Sequence, residues 1–131
     1  MKLEVIAIPV SDVDVALRFY VDQVGFGLDH DARPNPGMRV VQMTPPGSSC
    51  SVTVGPVIVD PATPPGPRAS LQLVVTDIEA ARAELAGRGL EVGDVQVLDP
   101  RDGGKFLFFA DPDGNPWAIQ EIRDHVGAAA D

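Results

Sequence analysis

The strongest constraint on the fold of this chain is an internal repeat, because each copy fills about half of the sequence. The turn at Asp111–Gly114 leads into one apolar strand, and a turn with the related residues Pro45–Gly47 leads into another. Far upstream of each turn, the runs 9–16 and 74–81 are similar, with Asp12 falling on Asp77. Ser11 or Asp12 can cap a helix in the first run, and Thr76 and Glu79 have the spacing of a capping box in the second. A repeat of this length indicates two fused copies of one supersecondary unit.

The turn nearer the C-terminus, Asp111–Gly114, has the residue order of a type I β-turn. Asp stands first in Asp111–Gly114, Pro second and Gly fourth. Asn115 follows, and an Asn at this point tolerates a left-handed backbone. Trp117 and Ile119 then alternate with smaller or polar residues. This alternation predicts a strand with one apolar face and one mixed face.

The hydrophobic pattern predicts the element order βαβββ in both halves. In the first half, strands are expected at 2–10, 26–33, 38–44 and 49–54, with a helix over 13–24 after the first strand. In the second half, strands are expected at 69–75, 90–98, 105–110 and 116–122, with a helix over 78–85. The residues expected to share the core are Trp117, Ile119, Val52, Leu17, Tyr20 and Leu85. The predicted fold class is α+β, with two pseudo-symmetric βαβββ modules whose helices cover one side of each sheet and whose free sheet faces enclose an open cup.

Size and charge narrow the class of protein. With 131 residues, 44% of them hydrophobic, the chain suits one domain with a substantial core. We expect this domain to span 1–131: module one over about 1–55, a proline-rich connector over 56–67, module two over about 68–122 and a tail over 123–131. A net charge of −9 without a Lys/Arg cluster argues against nucleic acid as a partner. Because no apolar run reaches the length of a membrane span or resembles a secretory leader, we expect a cytoplasmic protein that does not bind membranes.

Three features together resemble the vicinal oxygen chelate superfamily, the glyoxalase/bleomycin resistance protein/dioxygenase family. They are the repeat, the run Pro9–Tyr20 with Gly25 and Phe26 just after it, and the run Phe109–Asn115. The resemblance spans residues 3–122 and implies the open-cup fold. The family includes glyoxalase I, extradiol dioxygenases, fosfomycin resistance enzymes and bleomycin resistance proteins, so the resemblance leaves the function open.

The resemblance also locates the positions where metal enzymes of the family place His, Gln or Glu. In this chain those positions fall on Val5, Ser51, Ser70 and Ala118. Val and Ala carry no donor atom, and a Ser hydroxyl is a poor substitute for imidazole or carboxylate. We therefore expect no metal cofactor at these positions.

The residues expected to line the cup are small or neutral, which favours binding over catalysis. The candidate ligand contacts are Ser51, Thr53, Ser70, Gln72 and Gln120. The favoured function is metal-free binding or sequestration of a small organic molecule, with a homodimer completing the cup.

The alternative function is an enzyme, either a glyoxalase-like lyase or isomerase or a dioxygenase-like protein. It would hold a divalent metal through non-standard ligands such as His30, Glu121 or a residue of a partner chain. Glu121 is the one candidate catalytic residue. His30, expected on an outer strand or loop, and His125, in the tail, are predicted to have surface roles. Cys50, the single cysteine, is expected to be a buried small hydrophobe.

Overall fold

The computed structural model describes residues 1–55, 71–99 and 104–123, and it confirms the βαβββ order in both modules. Module one contains β1 (Val5–Ala7), α1 (Val13–Arg18) continued by a π-helical segment (Phe19–Val24), β2 (Gly27–Ala32), β3 (Val40–Thr44) and β4 (Ser51–Val54). Module two contains β5 (Leu71–Val75), α2 (Ile78–Gly87), β6 (Gln96–Asp99), β7 (Gly104–Ala110) and β8 (Pro116–Glu121). The predicted connector 56–67, Ser70 and His125 lie outside the described residues.

Each module forms one four-stranded sheet, and the two sheets have the same topology. The strand order is β1-β4-β3-β2 in the first sheet and β5-β8-β7-β6 in the second. In both, the first and last strands of the module pair in parallel, and the remaining neighbours are antiparallel. The repeat seen in the sequence is therefore a repeat of topology. Within the described residues, no helix is both long and apolar enough to cross a bilayer.

Two strands are shorter than the sequence pattern predicts. Strand β1 pairs only over Val5–Ala7 rather than 2–10, because its partner β4 offers just four residues. Strand β6 begins at Gln96 rather than at residue 90. The residues before it do not pair with β7; Leu90, Val92 and Val95 instead point into the core. Burial outweighs strand pairing in this segment.

The predicted helix starts are correct to within one residue: Asp12 is one of the two caps predicted for the first helix, whereas the predicted capping box puts the second cap at Thr76 and the structure has it at Asp77. Asp12 caps α1 by accepting a hydrogen bond from the backbone N–H of Val15 at 3.1 Å, and Asp77 caps α2 by accepting one from Ala80 at 3.1 Å. Both caps have extended backbone angles, as this motif requires. The two aspartates that first indicated the repeat therefore have the same structural role.

A single hydrophobic cluster joins the two modules. Five of the six residues predicted for the core are buried, and the sixth, Leu17, is partly buried and packs against the others. Aromatic rings form the contact between modules: Phe19, Tyr20 and Phe26 of module one meet Phe109 and Trp117 of module two, with ring centroids between 5.6 and 6.2 Å apart. Neither module keeps a core of its own.

A buried hydrogen-bond network fixes this contact. The Tyr20 hydroxyl donates to the Asp111 carboxylate at 2.7 Å and accepts from Trp117 Nε1 at 3.1 Å. Asn115 donates through its side chain to Asp111 at 2.8 Å and to the carbonyl oxygen of Pro9 at 3.0 Å. The network thus connects the turn of module two to the helical segment of module one, through Tyr20, and to the residues just after β1, through Pro9.

The turn itself is the predicted β-turn, with one difference. The N–H of Gly114 donates to the Asp111 carbonyl oxygen at 2.9 Å, which closes the turn. Gly114, with φ of 83°, takes the left-handed conformation that the sequence analysis noted Asn115 could tolerate. Asn115 has a negative φ, and its side chain is committed to Asp111 and Pro9. Glycine has no Cβ to oppose the left-handed backbone, so the strain is avoided.

We predict that Tyr20 stays protonated in the folded protein at pH values where a free tyrosine ionises. Burial, and then the hydrogen bond to Asp111, raise the pKa of Tyr20 far above its usual 10.0. Since the unfolded chain alone loses this proton near pH ~10, stability is undiminished below that pH and falls as the pH rises further. Tyr20 is the single tyrosine, so tyrosinate absorbance during an alkaline titration should appear only together with unfolding.

The variant Tyr20→Phe is the control for this titration. It leaves Trp117 Nε1 and Asp111 each short of a partner and should lower the free energy of unfolding by about 1–3 kcal/mol. The free energy of unfolding of Tyr20→Phe should fall less than that of the wild type as the pH rises above ~10, because the variant has no tyrosine to ionise. Tyrosinate absorbance near pH ~10 in wild-type protein that is still folded would contradict the prediction.

Candidate functional site

Each sheet turns one face to the shared core, which leaves the other face for function. Val41, Met43, Val52 and Val54 form the core face of the first sheet, and Leu107, Phe109, Trp117 and Ile119 that of the second. Because side chains alternate along a strand, the residues between them point the opposite way. We call these opposite surfaces the outer faces of the first and second sheets. Of the candidate ligand contacts, Ser51, Thr53, Gln72 and Gln120 lie on these faces, and Ser70 is outside the described residues.

The outer face of the first sheet carries a chain of three oxygen-bearing side chains. The hydroxyl of Thr44 donates to the Asp29 carboxylate at 2.5 Å and lies 2.6 Å from the hydroxyl of Ser51. Asp29 is brought onto this face by a bulge in β2, where the pairing with β3 shifts between Leu28 and His30. The sequence analysis identified Ser51 but missed Thr44 and Asp29.

Thr53 lies two residues after Ser51 on the same face of β4. Its side chain is buried, with a relative exposure of 3%, between the registered neighbours Ala7 and Gln42. Among the described residues, its hydroxyl has no hydrogen-bond partner. An unpaired buried hydroxyl costs about 1–3 kcal/mol, so this group is poised to accept or donate a hydrogen bond.

Arg39 binds two other acids near β2: Asp31, which is in register with the core-facing Val41, and Asp14 on α1. Its guanidinium donates two hydrogen bonds to Asp31, at 3.0 and 2.8 Å, and one to Asp14 at 2.7 Å. The hydrogen bonds to Arg39 lower the pKa of Asp31 and of Asp14. Asp29, two residues before Asp31, has no such cation within salt-bridge distance in the part of the chain that the structure describes.

The outer face of the second sheet combines two amides with two aromatic rings. Gln72 on β5 donates a hydrogen bond to Gln120 on β8. On β7, Phe106 pairs with Gln120 and Phe108 with Ala118, so both rings share this face. Their planes are within 8° of parallel, with centroids 6.3 Å apart. This face therefore carries a stacked pair of aromatic rings with an amide pair at its side.

Sequence reasoning missed the two rings for an identifiable reason. Residues 106–109 read Phe-Leu-Phe-Phe, so apolar side chains fall on both faces of β7 and give no alternation. The available signal was register: Phe106 and Phe108 lie two residues apart, opposite the polar and small residues of β8. Three of the five phenylalanines serve the core, and these two do not.

Strand register revises one correspondence between the modules. Val5 pairs with Ser51 in the first sheet, and Gln72 pairs with Ala118 in the second. Gln72, rather than Ser70, is therefore the counterpart of Val5 in the sheet. Aligning Asp12 with Asp77 suggested Ser70. The spacing differs in the sheet, however: Val5 lies seven positions before the cap Asp12, whereas Gln72 lies five positions before the cap Asp77.

Glu121 faces the core side of β8 and not the outer face. Its carboxylate accepts a hydrogen bond from the backbone N–H of Ile78 at 3.1 Å, at the start of α2. Arg123 lies 3.1 Å away and Lys105 3.9 Å. A carboxylate at a helix N-terminus stabilises the helix dipole, which gives Glu121 a structural role.

His30 lies on the exposed edge strand β2, in register with Gln42. It belongs to the first sheet, whereas Glu121 lies on the core side of the second sheet. The two residues suggested as non-standard metal ligands are thus separated by the core of the chain. Cys50 is partly buried just before β4.

The residues at the family's metal positions do not fit a divalent cation. Val5 and Ala118 have no donor atom, and the hydroxyl of Ser51 is engaged with Thr44. Among the described residues, no group of three or more His, Cys, Asp or Glu side chains could hold a metal ion. Gln72 and Gln120 bond to each other, and an amide oxygen is a weak ligand for transition metals.

Comparison with known proteins agrees with the fold. The family model described as the Glyoxalase/Bleomycin resistance protein/Dioxygenase superfamily matches residues 2–119. The chain belongs to this superfamily. A search of the curated proteins finds no match for the chain.

Several solved structures of the superfamily are similar over nearly the whole chain. TnmS3, an antibiotic binding protein from Streptomyces sp. CB03234, is 34% identical, with a TM-score of 0.75 over 92% of this chain and 95% of that one. A superfamily member from Sphaerobacter thermophilus DSM 20745 is 32% identical, with a TM-score of 0.76 over 93% and 98%. A glyoxalase/bleomycin resistance protein from the same Streptomyces strain is 34% identical, with a TM-score of 0.73 over 92% and 100%.

We predict that the protein carries no stoichiometric transition metal after purification without a chelator or a His tag. Adding Zn²⁺, Ni²⁺, Mn²⁺ or Fe²⁺ should leave the melting temperature unchanged, because the family positions lack donors. A native site at about 100 times its Kd would add about 2.7 kcal/mol. A stabilisation of that size that disappears in His30→Ala or Glu121→Gln would contradict the prediction.

Proposed function

We propose that this protein binds and sequesters a small organic molecule that contains a flat aromatic part. The observation that carries the proposal is the pair of parallel rings, Phe106 and Phe108, on the outer face of the second sheet. An aromatic side chain that the core does not use normally finds a partner, since its exposure to water is unfavourable. Phe108 is 44% exposed in the single chain.

The polar groups beside the rings support binding rather than reaction. The amides of Gln72 and Gln120 can orient a ligand through hydrogen bonds, but they do not titrate and cannot act as general acids or bases. Glu121, the carboxylate next to Gln120 in the chain, lies on the other side of β8. Aromatic side chains beside a small number of polar groups are the mixture of residues that typically lines small-molecule sites.

We further propose that a homodimer completes the site. Both outer faces point away from the core that joins the modules, and both expose apolar side chains: Val5 at 46%, Val74 at 39% and Phe108 at 44%. A second copy could cover them, so that the first sheet of one chain faces the second sheet of its partner. Closed two-fold dimers are the commonest assembly of soluble proteins.

The similarity to TnmS3 supports the same class of ligand. TnmS3 is an antibiotic binding protein, and at 34% identity over nearly full length the two chains share more than a fold. An enzyme that uses a divalent metal is the weaker proposal. Its suggested ligands, His30 and Glu121, lie on different sheets, and Glu121 is already bonded to the start of α2.

The binding proposal predicts that planar tricyclic aromatics stabilise the protein. Acridine, which is neutral near neutral pH, should raise the melting temperature and bind with measurable quenching of its fluorescence. Phe108→Leu keeps the apolar volume but loses the flat ring, so Kd should rise by up to about tenfold, the size expected for one aromatic contact.

Val97→Ala is the matched control for this experiment. Val97 is an exposed apolar residue on β6, but it pairs with Lys105 and therefore lies on the opposite side of the sheet from Phe106. It should leave the affinity unchanged. Binding of acridine that is insensitive to Phe108→Leu would place the aromatic site elsewhere, and failure of every planar aromatic to bind would remove the proposal.

The dimer proposal predicts a sedimentation mass of twice the chain mass. Val5→Asp introduces a charge into the covered apolar surface and should shift the protein toward the monomer, while also weakening ligand binding. Val97→Asp, which adds the same charge on the other side of a sheet, should not. A wild-type monomer at concentrations where acridine binds would refute the dimer.

A further inference from the structure

We infer that the outer face of the first sheet selects ligands that present a protonated nitrogen to Ser51, through a hydroxyl chain oriented by Asp29. This inference rests on the proposed function, because it specifies which aromatic molecules the site prefers. It depends on the direction of the hydrogen bonds in the chain Asp29–Thr44–Ser51.

The direction follows from counting protons. An ionised carboxylate only accepts, so Thr44 must donate its single hydroxyl proton to Asp29. The contact between Thr44 and Ser51, at 2.6 Å, can then have only one polarity: Ser51 donates and Thr44 accepts. Ser51 is left with lone pairs and no proton to offer. A ligand group that meets Ser51 must therefore be a donor.

Charge favours a cation among the possible donors. The carboxylate of Asp29 polarises the two hydroxyls toward itself, which makes the oxygen of Ser51 a stronger acceptor. The neighbouring acid Asp31 is neutralised by Arg39 through two hydrogen bonds. Asp29 has no cation within salt-bridge distance among the residues that the structure describes, so its charge remains available to a ligand.

Thr53 provides an independent sign that this face receives a polar group. Its hydroxyl is buried on the same face as Ser51, two residues along β4, and lacks a partner among the described residues. A hydroxyl can accept as well as donate. A ligand with more than one N–H could therefore satisfy both Ser51 and Thr53, whereas a ligand without donors could satisfy only one of them.

The test compares two ligands of the same ring system. Proflavine is a planar cation with amino groups, and acridine is its neutral parent near neutral pH. Wild-type protein should bind proflavine at least about tenfold more tightly than acridine, the scale of one charge-assisted hydrogen bond. Asp29→Asn, which keeps the shape but removes the charge, should reduce this ratio to about one while acridine still binds.

Thr44→Val tests the direction of the hydrogen bonds from Ser51 to Asp29 separately from the charge of Asp29. Without Thr44, the hydroxyl of Ser51 is free to rotate and donate, so the preference for proflavine over anthracene carboxylate should fall and affinity for the anion should rise. A purely structural role of Thr44 would weaken both ligands equally. Melting curves of each variant without ligand show whether it folds as the wild type does.

Glu91→Gln is the matched control for net charge, since Glu91 is an exposed acid after α2, away from the outer faces. It should leave the ratio of proflavine to acridine affinity unchanged. Two results would overturn the inference: equal affinities of the wild type for proflavine and acridine, or an equal fall of the affinity ratio in Glu91→Gln and Asp29→Asn. Binding of acridine in either case would still support the proposed function. If neither dye binds, both proposals fall together.

Discussion

The structure depends on one buried carboxylate, that of Asp111. It accepts hydrogen bonds from the Tyr20 hydroxyl, from the side chain and backbone of Asn115, and from the backbone of Asp113. A buried charge without such partners would be strongly destabilising. The donors are therefore obligatory, and one of them comes from the other module. The turn of module two can reach its low-energy state only when the helix of module one is packed against it.

This packing decides which sheet faces remain free. Once Tyr20, Phe19 and Phe26 are placed against Phe109 and Trp117, the apolar sides of both sheets are consumed by one core. The outer faces carry the side chains that alternate along each strand with those of the core. The two faces then differ in chemistry despite identical topology: one carries hydroxyls and an acid, the other amides and aromatic rings. The two sheets share their strand order, but the residues at the outward-facing strand positions differ between them, so each outer face has its own chemistry.

Features governed by local forces could be predicted from the sequence. The helix cap Asp12, the turn at Asp111–Gly114 and the alternation of Trp117 and Ile119 each depend on residues close in the chain. They were enough for the element order and most of the core. Among site residues, Ser51, Thr53, Gln72 and Gln120 were assigned to one sheet face by the family resemblance together with strand alternation, and strand register puts them on the outer faces.

Features governed by pairing between distant strands could not be predicted. Asp29 reaches Thr44 only through the bulge in β2, and Phe108 shares a face with Ala118 only through the register of β7 on β8. The same limit explains the correspondence of Val5 with Gln72. Helix caps and strand register are spaced differently in the two modules, and only the sheet shows by how much.

The arrangement of protons at the outer faces supports the proposal that the protein binds a ligand without transforming it. A reacting site needs a group that gains or loses a proton near the operating pH. The proton of Ser51 is committed to Thr44, that of Thr44 to Asp29, and the amides of Gln72 and Gln120 to each other. Each group can still orient a ligand by its remaining lone pairs or N–H bonds. Among Ser51, Thr44, Gln72 and Gln120, none is arranged to transfer a proton to a ligand, which supports the proposed binding function.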